Sequence, residues 1–193
     1  KNDQRIFSYN AYEYIPPAHS IPGTQTNAPA KLMKDMEKNK IHINCQIKNF
    51  DKTLVEMMKI AVITTLARFN EKEHYSLSIL ICDDDKIKTL NATYRGISSP
   101  TDVLSFPTYE RLPGTDELYL GDIAISFPTT IRQARENQHP VSQELSLLCI
   151  HGVLHLLGYD HETQEEESKM WALQNEILTA LGMSTHVSGG LRA

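Results

Sequence analysis

Residues 140–161 read PVSQELSLLCIHGVLHLLGYDH, and this stretch decides how the chain must fold. Its apolar residues would cover nearly every side of a helix: Leu145, Leu147, Leu148, Ile150, Val153, Leu154, Leu156 and Leu157. A helix that is apolar all round belongs in the interior of a domain. The stretch therefore predicts a buried helix from Pro140 to about Leu157, around which other elements pack.

Upstream of this helix, four apolar or alternating segments predict strands. They are IHINCQI (41–47), SLSILIC (76–82), VLSFP (103–107) and LYLGDIAISF (118–127). Helical spacing predicts further helices over 51–69, 128–138 and 164–181, and a short helix through Ile87 and Leu90 that ends near Gly96. The order predicts an α+β fold with one sheet of about four strands, helices packed on it, and the central helix in its C-terminal half.

Residues 1–40 differ from the rest of the chain. They contain the proline-rich run PPAHSIP (16–22), few large apolar residues and no periodicity. Such a segment cannot bury enough apolar surface to order itself, so we expect a poorly ordered extension followed by one domain over 41–193. No apolar run approaches the ~20 residues that cross a bilayer, and the chain has no secretory signal pattern, so we expect a soluble protein.

The cysteines indicate the redox compartment of the protein, and the distribution of charge limits how it could bind a polyanion. Cys45, Cys82 and Cys149 are three in number and lie inside apolar runs, which favours reduced core thiols and a cytoplasmic location. The net charge is −5, and residues 41–193 carry 13 Lys or Arg against 20 Asp or Glu. A global basic footprint for nucleic acid is therefore missing, and a polyanionic substrate would need a local basic patch.

Three of the eight histidines fall within the segment 151–161. His151 and His155 are four residues apart, so on a helix they lie one above the other, about 6 Å along the axis, where both rings can reach one ion. Gly158 can end the helix in a left-handed turn and return His161 to the same ion. Three neutral nitrogens would leave one tetrahedral position open, which is typical of a catalytic zinc site with one Zn²⁺ per chain.

A buried histidine is otherwise most often a core residue bonded to a backbone carbonyl. We prefer that interpretation for the five histidines outside the motif, which are His19, His42, His74, His139 and His186. For three histidines at this spacing inside an apolar helix, a shared metal at the end of the helix is the better explanation, because unpartnered imidazoles there would cost several kcal/mol.

The pattern resembles HExxHxxGxxH of the metzincin proteases, but Gly152 stands where their catalytic glutamate would be. A glycine inside a helix costs about 1 kcal/mol relative to alanine, so Gly152 predicts a close approach by another strand or by substrate. The missing base argues against peptide hydrolysis.

Two further blocks are LNATYRGISSPTDVLSFP (90–107) and LGDIAIS (120–126). With HGVLHLLGYDH they resemble, in order and spacing over about 41–182, the YbeY family of metal-dependent endoribonucleases. The resemblance implies a zinc-dependent, single-strand-specific endoribonuclease in 16S-type rRNA maturation and small-subunit quality control. It implies metal on His151, His155 and His161, with Arg95 as the functional arginine, and ribosomal RNA and small-subunit proteins as partners. The family's usual charges between its blocks are replaced here by Ile97, Ser98 and Ser99.

Chemistry suggests roles for some of these residues. Arg95 offers a planar fork of donors that matches phosphate oxygens. A lone arginine is more often part of a surface ion pair. The resemblance to the family nevertheless favours phosphate binding by Arg95. We count Arg95 and His151 as catalytic. The attacking group could be activated water or the RNA 2′-hydroxyl.

Other charged residues near the motifs have two interpretations each. Asp160 could orient an imidazole or close the turn, and the sequence favours neither. For Asp102 and Asp122 structural turn bonding is the better expectation, and for Arg132 and Arg135 a solvated helix face.

Two alternatives to the nuclease stay open at this point. One is a zinc metallopeptidase of metzincin-like site geometry whose base comes from elsewhere, and Gly152 argues against it. The other is a non-catalytic, zinc-stabilised ribosome-binding module, which needs a closed site with a fourth ligand such as Asp160.

Overall fold

The computed structural model describes residues 28–70 and 72–183. Along the chain the elements are α1 (Ala28–Lys38), β1 (Lys40–Cys45), α2 (Lys52–Leu66), β2 (His74–Cys82), α3 (Asp84–Arg95), β3 (Val103–Arg111), β4 (Glu117–Ser126), α4 (Phe127–Glu136), α5 (Val141–Leu156) and α6 (Gln164–Ala180). None of the helices in this part of the chain is long and apolar enough to span a membrane.

The four strands form one sheet in the order β1-β2-β4-β3. β1 and β4 both run parallel to β2, whereas β3 pairs antiparallel with β4 at the edge. The predicted α+β class with one four-stranded sheet is confirmed, and each predicted strand overlaps an observed one. β2 and β4 are almost fully buried because they are the two central strands.

Alternation along the strands divides the core between the two faces of the sheet. One face carries Ile79, Ile81, Ile123 and Ile125, which join the main core with α2, α5 and α6. The opposite face carries Leu80, Cys82 and Ala124, which pack with Ile87 and Leu90 of α3. Helix α5 thus lies in the main core, as its all-round apolar surface requires.

Helix α1 is a correction to the prediction for residues 1–40. That segment was expected to have little fixed structure, but residues 28–38 form α1, and its Leu32 and Met36, four residues apart, pack against the main core. The Asn39 side chain then accepts a 3.0 Å hydrogen bond from the backbone N–H of Tyr75, which ties the end of α1 to β2. Residues 1–27 lie outside the described residues.

The three cysteines are free thiols, with Cys82 and Cys149 buried and Cys45 partly buried. Burial raises the pKa of Cys82 to about 12 and also raises the pKa of Cys149. Both thiols are therefore protonated core residues at neutral pH, which agrees with the expectation for them.

Candidate metal centre

Helix α5 places His151 and His155 on one face near its C-terminal end. Their ring centroids are 4.5 Å apart with an interplanar angle of 84°, and the two Nε2 atoms face each other at 3.0 Å. The His151 residue is 1% exposed, and the His155 side chain is 20% exposed. Two imidazole nitrogens are therefore directed at one small volume beside the C-terminal end of a buried helix.

A left-handed turn at Gly158 returns the chain to this volume. Gly158 has φ +87°, which a residue with a side chain rarely adopts, and the Gly158 N–H donates to the His155 carbonyl at 3.0 Å. The ring of His161 then lies 5.4 Å from that of His151 and 5.0 Å from that of His155. The predicted role of Gly158, to end the helix and bring back His161, matches this geometry.

The three rings offer ligand nitrogens that all lie within 4.8 Å of one another, an arrangement that could hold a metal ion. The Nε2 atom of His161 is buried and has no hydrogen-bond partner in the described part of the chain. The facing pair of Nε2 atoms can share at most one proton when both rings are neutral. A cation between the rings would satisfy all three nitrogens, so the residues fit a metal.

The histidines are held in the form that binds metals. Burial, together with the nearby His155 and His161, lowers the pKa of His151 to about 3. The hydrogen bond with Gln174 acts in the opposite direction and raises this pKa. The pKa of His155 is also lowered, first by burial and then by His161. Because metal ligands must be deprotonated, a cation meets little competition from protons at these two rings at neutral pH.

Two residues of α6 that sequence reasoning missed complete the surroundings. The Oε1 atom of Gln174 lies 3.3 Å from the Nδ1 atom of His151, and Gln174 is 2% exposed. The indole of Trp171 stacks over His151 at 5.7 Å and over His161 at 6.1 Å. The sequence did contain an indication that Gln174 is buried, since this polar residue lies on the same helix face as the apolar Met170 and Ile177.

Asp160 closes the turn rather than holding a ring. Its Oδ1 atom accepts the backbone N–H of His161 at 2.8 Å, whereas the same oxygen is 3.9 Å from Nδ1 of His155. Its charge still raises the pKa of His155 slightly against the larger effect of burial. Asp160 is therefore outside the group of three residues that could bind one ion.

Arg95 is the last residue of α3, just before Gly96 in the left-handed conformation, and its side chain is exposed. Burial and His161 lower the pKa of His155, and the charge of Arg95 acts in the same direction, so the guanidinium is within electrostatic range of His155.

Arg132 is held elsewhere. Its guanidinium donates to Asp84 at 2.9 Å, at the opposite end of α3, and this helix of 12 residues rises about 17 Å. Arg135 is exposed on α4. The expectation of a solvated helix face fits both residues better than a role in a basic patch at the histidines.

The two buried aspartates have structural partners. Asp102 accepts the Val103 backbone N–H at 2.8 Å and the Gln133 side-chain amide at 2.8 Å. Asp122 accepts the hydroxyl proton of Tyr119 at 2.7 Å. These contacts agree with the expectation of structural bonding.

Among the other histidines, His42 lies on β1, His74 on β2 and His139 before α5, while His19 and His186 lie outside the described residues. None of the three described ones joins the cluster of His151, His155 and His161.

Gly152 lets α5 approach the sheet. A Cβ atom at this position would lie 3.0 Å from two side-chain carbons of Ile123 and 3.3 Å from the Ser105 hydroxyl oxygen. The close approach predicted for Gly152 is therefore made by strands β3 and β4. A longer side chain at this position would meet the side chains of Ile123 and Ser105, which would have to shift to admit a glutamate.

Comparison with known proteins gives one consistent family. A family model described as Endoribonuclease YbeY matches residues 36–182. A protein of that name from Moorella thermoacetica is 49% identical over 115 residues, which are 55% of this chain and 73% of the relative. Another from Caldicellulosiruptor bescii is 35% identical over 145 residues, 70% of this chain and 92% of the relative.

Two further relatives extend the comparison. A protein named Endoribonuclease YbeY from Roseiflexus castenholzii is 47% identical over 140 residues, 69% of this chain and 86% of the relative. A solution structure of a Thermotoga maritima protein is 28% identical, covers 79% of this chain and 99% of its own, and superposes with a TM-score of 0.49.

Proposed function

Because the chain belongs to the endoribonuclease YbeY family, we propose that it is a zinc-dependent endoribonuclease that cleaves single-stranded RNA. Its activity is the hydrolysis of RNA phosphodiester bonds. We further propose that it acts in the cytoplasm on 16S-type ribosomal RNA, in maturation and small-subunit quality control, with small-subunit proteins as partners.

One observation carries the zinc assignment: three imidazole nitrogens within 4.8 Å of one another, of which the buried His161 Nε2 has no protein partner in the described residues. Nitrogen ligands in a set of three are typical of catalytic zinc, which keeps a position open. A zinc ion held by His151, His155 and His161 would supply Lewis acidity that activates water and polarises a phosphoryl oxygen.

In this proposal Arg95 binds the scissile phosphate. It is exposed, lies within electrostatic range of His155 and has a planar fork of donors that matches two phosphate oxygens. The net charge of −5 makes such a local cation necessary, since the chain as a whole repels a polyanion. His151, the most buried of the three histidines, anchors the catalytic end of α5.

The two alternatives are less well supported. A metallopeptidase needs a general base, and the space beside Gly152 is filled by Ile123. A closed structural zinc site needs a fourth ligand, and the nearest carboxylate, Asp160, uses its Oδ1 atom to accept the His161 backbone N–H. A set of three histidine ligands is typical of catalytic zinc rather than of a closed structural site.

The proposal is tested by incubating purified, metal-assayed protein with single-stranded RNA, duplex RNA and casein side by side. We expect about one zinc per chain, cleavage of the single-stranded RNA, and little action on the other two. Chelation should abolish cleavage, and added zinc should restore it. Cleavage of casein, or zinc-loaded protein that leaves single-stranded RNA intact, would contradict the proposal. The chemistry of the product ends distinguishes attack by water from attack by the 2′-hydroxyl.

A further inference from the structure

Helix α6 contacts the histidine cluster from a part of the chain that the histidine motif does not include. Gln174 is 23 residues away from His151 along the sequence, yet its Oε1 atom is 3.3 Å from the ring nitrogen Nδ1. Both residues are buried, at 2% and 1% exposure. In the described chain this ring therefore has one polar partner on each side: Gln174 at Nδ1 and His155 at Nε2.

A neutral imidazole carries its single proton on one of the two nitrogens. The carbonyl oxygen of Gln174 only accepts hydrogen bonds, so contact with it requires the proton of His151 to be on Nδ1. The lone pair is then on Nε2, which faces His155 at 3.0 Å and points into the cluster. With the opposite tautomer, two acceptors would meet at Nδ1 and a proton would occupy the position of the cation.

We propose that Gln174 is a positioning residue that holds His151 as the Nδ1–H tautomer, so that its Nε2 lone pair is directed into the site before any cation binds. The inference rests on the proposed metal site. Outer partners of this kind fix the tautomer and orientation of ligand rings in metal sites generally.

Trp171 restricts the same ring in another way. It lies three residues before Gln174, so both side chains project from one face of α6. Its indole is stacked on His151 with an interplanar angle of 25° and on His161 with an angle of 6°. The stack limits tilting of the ring, whereas the hydrogen bond from Nδ1 decides which nitrogen carries the proton. Only the second effect depends on an acceptor at position 174.

The test uses the full chain and compares three variants with the parent. Gln174→Met keeps the length of the side chain and removes the acceptor, while Gln174→Glu keeps an acceptor. Gln164→Met is the matched control, because it makes the same change on the exposed first residue of α6. Nitrogen-15 NMR of the histidine rings in the metal-free protein reports the tautomer, and titration with zinc alone reports the affinity.

We expect the metal-free parent to show the proton of His151 on Nδ1. Gln174→Met should weaken zinc binding about 10- to 100-fold and give a mixture of tautomers. Gln174→Glu and Gln164→Met should bind zinc at least as tightly as the parent.

Two results would overturn the inference: a parent ring protonated on Nε2, or a folded Gln174→Met protein that binds zinc as the parent does. If Gln174→Met does not fold, the parent spectrum and the affinity of Gln174→Glu decide the question. A parent with the expected tautomer that binds no zinc would instead refute the proposed metal site and leave the tautomer assignment standing.

Discussion

Histidines lie near both ends of helix α5, and they meet different neighbours at the two ends. Near the N-terminal end, Nε2 of His139 lies 2.9 Å from the Glu144 carboxylate, with side chains 8% and 1% exposed. At the C-terminal end, three histidines face one another, and the nearest carboxylate oxygen found beside them is 3.9 Å from His155. The imidazole of His139 thus lies within ion-pair distance of a carboxylate, whereas the three imidazoles at the other end direct nitrogens at one another in an arrangement that could hold a metal ion.

Electrostatics differ between the two ends as well. Burial raises the pKa of Glu144, while its contacts with Asn137 and His139 act in the opposite direction. In the cluster, burial and the neighbouring histidines lower the pKa of His151 together, and only Gln174 opposes them. At the first end the neighbours of Glu144 act against the effect of burial on its pKa, whereas at the second end the neighbouring histidines act in the same direction as burial.

Removing one histidine from each end gives the largest expected contrast. His155→Ala should lose zinc and fall to background RNA cleavage, because it removes a ligand. His139→Ala should keep about one zinc per chain and full activity while losing about 1–3 kcal/mol of unfolding free energy, because Glu144 loses a buried partner. Metal analysis, RNA cleavage and denaturant unfolding of both variants measure the contrast. Loss of zinc from His139→Ala would show that the two ends are not independent.

Replacement of Arg95 tests whether the cluster of three histidines is catalytic or only structural. Arg95→Ala should lower kcat about 10²–10³-fold, or roughly 3–4 kcal/mol, because a donor to the charge that develops in the transition state is lost. Zinc content and RNA affinity should change little, and Arg95→Lys should recover only part of the rate.

Arg132→Ala is the matched control for Arg95, since that arginine pairs with Asp84 at the other end of α3. Single-turnover cleavage and RNA binding are the measurements. Unchanged kcat in Arg95→Ala would move the phosphate contact to another residue.

The stability of the metal-free protein should depend on pH through the cluster. The folded pKa of His151, about 3, is below its ordinary value of 6.5, so the unfolded chain binds the extra proton between these values. The contribution of His151 to the free energy of unfolding is therefore fully present above pH 6.5. It falls as pH decreases toward 3, by at most about 1.4 kcal/mol per pH unit.

Denaturant unfolding of metal-free parent and His151→Leu across pH 3.5–7.5 checks this prediction. The difference between the two proteins removes the contribution of Glu144, which both retain. A difference that does not vary with pH would show that His151 titrates normally in the fold.

Removal of residues 1–27 should have the smallest effect, and truncation of the N-terminal segment should leave both ends of α5 unchanged. Deletion of residues 1–27 is expected to preserve zinc content and melting temperature, because that segment lacks apolar periodicity. Deletion of residues 1–38 also removes Leu32 and Met36, which are partly buried against the main core, and should cost less for each of them than the ~1.5–3 kcal/mol of a fully buried side chain. Thermal unfolding of the two truncated proteins tests the difference, and a large fall with the shorter deletion would contradict it.

Local patterns were sufficient for much of this molecule. The spacing of His151 and His155, and Gly158 after them, predicted the meeting of three rings, because the pitch of a helix and the freedom of glycine operate within a few residues. The alternating and apolar runs likewise predicted four strands and the α+β class. Helix α1 was missed because the prolines and polar residues of the first 27 positions obscured the short amphipathic run that follows.

Tertiary structure alone decided which distant residues join these local features. It brought Gln174 and Trp171 of α6 against His151, placed Ile123 of β4 where a side chain at Gly152 would lie, and set Arg95 within electrostatic range of His155. It also paired Arg132 with Asp84, the first residue of α3. These relations depend on how helices pack on a sheet of order β1-β2-β4-β3. Periodicity in sequence reports which face of an element is buried, but the residues that meet that face come from segments folded back from far along the chain.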